Sequence, residues 1–110
     1  MAENIKLLVY PTKDLNVSKA FFKTFLGVEP YAESDYYVGY KVDNMEIGLD
    51  PNGQAVIAYI DVADIKASLQ TYLDAGASTV QEPKDVGGGL LIAQVKDANG
   101  NVLGLRQAAK

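Results

Sequence analysis

The side chains able to do chemistry are few in kind: among 110 residues there is no His, no Cys and no Trp. Without imidazole or thiol the chain can build neither a zinc site of the usual nitrogen and sulfur ligands nor a thiol nucleophile, a disulfide or an imidazole-based triad. Carboxylates, phenols and one guanidinium remain. Glu46, Asp50 and Asp61 stand in or beside strand-like runs, where a carboxylate among apolar neighbours can take a proton or give oxygens to Mg²⁺ or Ca²⁺. The ordinary alternative is a solvated surface acid. Arg106 is the single arginine. It is suited to grip a carboxylate or phosphate through two parallel hydrogen bonds, or else it is a solvated arginine on the last strand, paired with Asp50 or Asp61.

Seven tyrosines with no tryptophan form a bias of their own. Flat amphipathic rings stack on planar molecules while their hydroxyls stay hydrogen-bonded. Tyr36 and Tyr40 are expected to pack against a helix, whereas Tyr37 and Tyr59 are equally suited to packing and to a ligand. Gly87-Gly88-Gly89 is not a phosphate loop, which needs a preceding strand, a following helix and Lys-Ser/Thr. It is expected to be a hairpin connection, the alternative being a mobile flap.

Charge narrows the partners. Fourteen acidic against ten basic residues give a net charge of −4 and a pI near 4.6, the wrong sign for a protein that gains affinity by neutralising nucleic-acid phosphates. No apolar run approaches the ~20 residues of a membrane span, and Met1-Ala2-Glu3-Asn4 lacks a basic-then-apolar start. The expectation is a cytoplasmic protein that binds neither nucleic acid nor membrane.

The elements that must position these groups follow from periodicity. Ile5 to Tyr10 is a β-favouring run stopped at Pro11. Asp14 supplies an acceptor for free helix-start amides, Val17, Phe21, Phe22, Phe25 and Leu26 follow at helical spacing, and Gly27 ends the helix. Strands are expected weakly near Tyr31, then from Tyr36 to Val42 and from Met45 to Leu49, the last two joined through Asp43-Asn44. Asp50-Pro51-Asn52-Gly53 is a turn. The second half repeats the order. Val56 to Val62 is a strand, Asp64 opens a helix with Ile65, Leu69, Tyr72 and Leu73 on one face, Gly76 closes it, and strands follow near Thr79, at Leu90 to Val95 and at Val102 to Leu105. Aligning Asp14 with Asp64 puts Ser18 on Ser68 and Phe22 on Tyr72. After a one-residue slip Gly27 falls on Gly76, and Ile47-Gly48-Leu49 matches Leu103-Gly104-Leu105. The fold expected is α+β: one domain over residues 1–110 made of two βαβββ modules, 1–52 and 53–110.

Two such modules, opened by Val9-Tyr10-Pro11-Thr12-Lys13-Asp14-Leu15-Asn16-Val17-Ser18-Lys19-Ala20-Phe21-Phe22 with Leu26-Gly27-Val28 and closed by Asp97-Ala98-Asn99-Gly100-Asn101-Val102-Leu103-Gly104-Leu105, resemble the vicinal oxygen chelate superfamily. That group includes glyoxalase I, bleomycin-resistance proteins, fosfomycin-resistance enzymes and extradiol dioxygenases. The resemblance implies a curved, cup-like mixed sheet with helices outside, a ligand inside the cup, and a homodimer. Enzymes of the group hold a divalent metal with a His or Gln on the first strand of each module and a Glu on the last. Counted from the strand-to-helix Asp, these places fall on Leu7, Gly48, Ile57 and Gly104, none of which can hold a metal. A register shift of one gives Lys6, Leu8, Ile47, Leu49, Val56, Ala58, Leu103 and Leu105, which is no better. No metal and no cofactor is therefore expected, and metal-dependent glyoxalase or dioxygenase chemistry is disfavoured.

Strand alternation then lists the cup face. Leu7 brings Val9 and Pro11, Ile57 brings Tyr59 and Asp61, Gly48 brings Glu46 and Asp50, and Gly104 brings Val102 and Arg106. The glycines are expected to leave room for a ligand against the backbone. Candidate ligand-binding residues are Tyr37, Gly48, Asp50, Ile57, Tyr59, Asp61, Gly104 and Arg106, with no catalytic residue assigned. The function expected is metal-independent binding or sequestration of a small organic molecule, aromatic or antibiotic-like. The alternatives are a metal-free isomerase or hydrolase using a cup carboxylate or tyrosine, and a non-catalytic structural or regulatory dimer.

Overall fold

The computed structural model describes residues 5–109. They form two compact units, one running from Lys6 to Ile57 and one containing Ile5 and the chain from Ala58 onward. Each unit carries one helix and four strands, so the α+β class and the repeated βαβββ order stand as expected. The units divide after Ile57, five residues beyond the module boundary expected at residue 52.

In the first module β1 (Ile5–Pro11) leads into α1 (Leu15–Leu26), followed by β2 (Ala32–Glu33), β3 (Val38–Val42) and β4 (Met45–Asp50) in the spatial order β2-β3-β4-β1. Asp14 caps α1, its side chain accepting from Val17 N at 3.2 Å, and Gly27 ends it in the left-handed conformation at φ 75°. β1 and β4 are parallel, with Val9 opposite Gly48, and β3 and β4 are antiparallel, with Gly39 opposite Gly48. The two-residue hairpin turn from Val42 to Met45 places Asp43 at φ 54°, as a tight turn between twisted strands requires. Val38, Tyr40, Ile47 and Leu49 form the core, with Leu8, Tyr10, Phe22 and Leu26 packed on it. A fully buried side chain such as Leu49 contributes roughly 1.5–3 kcal/mol.

Val17, Phe21 and Phe25 do not face the core; they are 66%, 61% and 71% exposed, because only the stripe through Leu15, Phe22 and Leu26 meets the sheet. Tyr36 and Tyr37 precede β3 instead of lying in it, since Ser34 turns the chain by accepting both of their backbone amides at 3.1 Å. Tyr36 is consequently 77% exposed and not packed, whereas Tyr40 is wholly buried as expected.

In the second module β5 (Ile57–Asp61) leads into α2 (Ile65–Asp74), then β6 (Ser78–Asp85), β7 (Leu91–Lys96) and β8 (Val102–Gln107), in the order β5-β8-β7-β6. Asp64 repeats the cap of Asp14, accepting from Ala67 N at 3.1 Å. A second helix-start amide, Ile65 N, is satisfied from across the module by Gln107 Oε1 at 2.8 Å. The helix stops earlier than Gly76: Ala75 is the cap, and Gly76 follows at φ 107°. β6 is longer than expected and runs through Pro83, with breaks in its pairing to β7 on either side of Gln81. An outermost strand tolerates a proline that removes one ladder donor. Gly87, Gly88 and Gly89 all have positive φ and form the connection between β6 and β7, closed by Val86 N to Leu90 O at 2.9 Å. They make a hairpin connection. The core is Val62, Ile65, Leu69, Ala93, Val95 and Leu105.

Candidate functional site

Alternation along β5 and β8 sets the second module's site. Tyr59 lies directly opposite Gly104, and Asp61 opposite Arg106, in the parallel ladder between these strands. Parallel pairing with the same face parity puts all four on the side away from α2, while Ile60 and Leu105 point into the helical core. The Tyr59 ring lies over Gly104. A Cβ built on Gly104 would stand 2.6 Å from Tyr59 Cγ and nearer still to Cδ2 and Cε2, so glycine is the residue that lets the ring settle there. Gln94 donates its amide to the Tyr59 hydroxyl at 2.8 Å, and Tyr59 is 6% exposed. The space expected to receive a ligand above Gly104 is filled by the module's own phenol.

Arg106 is neither solvated nor at a frayed end. Its Nε donates to Asp61 Oδ1 at 2.7 Å and one terminal nitrogen to Oδ2 at 3.2 Å, and its side chain is 13% exposed against 50% for Asp61. Of the two carboxylates considered as its partner, Asp61 is paired with it. The fork geometry engages both oxygens of Asp61 with the guanidinium.

The first module repeats the device. Tyr37 reaches over Gly48, and a Cβ there would lie 2.6 Å from Tyr37 Cζ and nearer to its hydroxyl. Directly across the ladder, Gly39 is covered by Tyr31, whose Cε1 would be 3.0 Å from an added Cβ. The Tyr31 hydroxyl donates to Glu46 Oε1 at 2.6 Å, and Lys41 Nζ lies 4.7 Å from the centre of its ring. Asp50 turns toward its own loop, accepting from Asn52 N at 2.8 Å. Ile57 is half-buried at the start of β5. Tyr31, Gly39 and Gln94 are site residues that sequence reasoning missed. Tyr31 and Gly39 lie 8 positions apart, and only the β2 to β3 pairing brings them together.

The four places where a metal would be held carry Leu7 and Ile57, with hydrocarbon side chains, and Gly48 and Gly104, each under a tyrosine. Among the described residues no three His, Cys, Asp or Glu side chains come together as a metal site. Leu7, Gly48, Ile57 and Gly104 supply no side-chain donor atom to a metal.

Cavities also open elsewhere. One of about 480 Å³ lies at the start of α1 between Lys13, Asn16, Lys19, Glu33 and Asp35, and none of the eight candidate residues borders it. Another, of about 260 Å³, lies on the helix side of the second module's sheet and touches Gly104 alone among the candidates. No helix among the described residues is long and apolar enough to cross a membrane.

This chain has the vicinal oxygen chelate fold. A glyoxalase/bleomycin resistance protein/dioxygenase superfamily member from Vibrio splendidus superposes with a TM-score of 0.73 at 23% identity, over 97% of this chain and 100% of the other. A hypothetical protein from Bacillus halodurans gives 0.83 at 13% identity, over 100% and 97%. A variant of methylmalonyl-CoA epimerase from Streptomyces coelicolor gives 0.77 at 17% identity, over 100% of both chains. No protein-family model matches the sequence. No curated protein matches it either.

Proposed function

We propose that this protein binds a small planar aromatic molecule without a metal, in the slot that Tyr59 occupies above Gly104. The observation that carries this is the fit of the phenol itself. The Tyr59 ring occupies the space a side chain at Gly104 would take, with its oxygen 2.8 Å from the Gln94 amide, so the slot accommodates a six-membered ring bearing an oxygen acceptor. A ligand of that kind would displace Tyr59 by rotation of its side chain and take over the Gln94 hydrogen bond. Beside the slot the Arg106–Asp61 pair offers both a donor fork and an acceptor to polar substituents. Sequestration of an aromatic metabolite or antibiotic, by a cytoplasmic protein that acts as a homodimer, is the biological role this reading supports.

A thermal-shift screen of phenols and aromatic carboxylates in EDTA, with Zn²⁺, Ni²⁺ and Mn²⁺ as separate additions, tests it. Saturable stabilisation by an aromatic compound in EDTA supports the reading. Stabilisation by the metals and by no aromatic compound contradicts it.

The burial of Tyr59 supports a second reading, a non-catalytic structural or regulatory protein whose slots are permanently closed. The two readings part on one result. A closed slot binds p-cresol only after Tyr59→Ala, while a ligand slot also takes aromatic compounds in the wild-type chain. A metal-free enzyme of the isomerase type is less well supported, because both Asp61 oxygens accept from Arg106.

A further inference from the structure

The sheet of the second module is incompletely covered on its helix side, and the repeat explains why. With Asp14 aligned on Asp64, Leu8 corresponds to Ala58, and with the one-residue slip Leu26 corresponds to Ala75. Leu8 and Leu26 both pack on the first module's core. Ala58 carries a methyl where Leu8 carries an isobutyl group, Ala75 lies exposed just beyond α2, and α2 is ten residues long where α1 has twelve. The result is the cavity of about 260 Å³, with Ala58, Ile60, Val95 and Leu105 along the sheet and Tyr72 from the helix. Leu103 and Ile5 line it as well and are 45% and 50% exposed, so the cavity opens to solvent beside them.

We infer that this cavity is a binding site for a small, neutral, hydrocarbon-like molecule about the size of one substituted benzene ring. Among the described residues its lining carries no charged side chain, and Tyr72 is the single polar one. An ordered water needs two to four polar partners and is poorly served there, whereas an apolar cavity of ~150 Å³ already holds benzene. The site lies on the opposite face of the sheet from the Tyr59 ring and needs no displacement of a side chain, so it is independent of the slot proposed above.

Toluene is the probe, followed by methyl NMR on the intact chain. The expected result is saturable binding that shifts the methyl signals of Ile60, Val95, Leu103 and Leu105 and leaves those of Val38 and Leu49 in the first module unmoved. Ala58→Leu, which restores the first module's residue, should weaken binding at least about tenfold in a folded protein, through loss of the space itself. Val95→Ile adds one carbon and should weaken it several-fold; it decides the matter if Ala58→Leu does not fold. Absence of saturable binding to the wild-type chain overturns the inference. So does binding that Ala58→Leu, or Val95→Ile in its place, leaves undiminished.

Discussion

The ring of Tyr59 rests on the backbone of Gly104, its direct partner in the β5–β8 ladder, where a side chain at position 104 would occupy the space of the ring. Gly104→Ala should therefore cost about 1–3 kcal/mol, since the added methyl forces a packed ring off its place. In a Tyr59→Ala background the same change should cost no more than about 0.5 kcal/mol, because the clash has gone. Urea unfolding of the two single variants and the double variant measures this coupling. Additive losses would mean that the ring and the glycine do not interact.

Arg106→Lys keeps the charge but loses the fork that grips Asp61 at 2.7 and 3.2 Å. The arginine is largely buried while Asp61 is half exposed, so solvent screens the pair in part. A loss of about 1 kcal/mol is expected in urea unfolding. Wild-type stability in the lysine variant would show that the second hydrogen bond contributes nothing.

The helix α1 offers a contrast between neighbours. Phe22 packs against Tyr10 with ring centres 5.4 Å apart, while Phe25 is 71% exposed. Phe22→Ala should cost about 3 kcal/mol, and Phe25→Ser should stay within about 0.5 kcal/mol of wild type. Thermal or urea melts distinguish them; equal losses would place both rings in the core.

Asp97 holds the loop before β8. The Asn101 side chain and then the backbone amides of Asn101, Asn99 and Gly100 lower its pKa below the ordinary 3.8. A carboxyl whose pKa is lower folded than unfolded adds stability above the unfolded value, and that stability is lost as pH falls through the folded value. The stability difference between wild type and Asp97→Asn should therefore be constant at neutral pH and shrink below about pH 3.8. A difference that grows on acidification would reverse the sign.

How much of this was legible in the chain depended on how local each cause is. Asp14 and Asp64 as helix caps, and Asp43 in the hairpin turn, are set by neighbouring backbone and emerge directly from the order of residues. The shared face of Tyr59, Asp61, Gly104 and Arg106 follows from strand alternation once the repeat is aligned, and the Asp61 partnership of Arg106 was one of two choices. The filling of the glycine slots was not legible, because Gly104 reads the same whether a ligand or a tyrosine covers it. Tyr31 over Gly39 depends on a two-residue strand too short to leave a periodic pattern. The exposed face of α1 was not legible for a related reason: five apolar residues at helical spacing define a wide stripe, and the sheet beneath decides how much of it is covered.

Calorimetric titration of the EDTA-treated protein with a phenolic aromatic compound, run in parallel on Tyr59→Leu and Gln94→Ala, tests the central claim most directly. Saturable one-site binding to the wild-type chain is predicted, together with at least about tenfold weaker binding to Gln94→Ala, whose amide would hold the ligand oxygen. Tyr59→Leu, which still blocks Gly104 but offers the Gln94 amide no acceptor, should bind no more weakly than wild type. Binding that appears only when Zn²⁺ or another divalent metal is restored, or that Gln94→Ala leaves unchanged, would contradict the account.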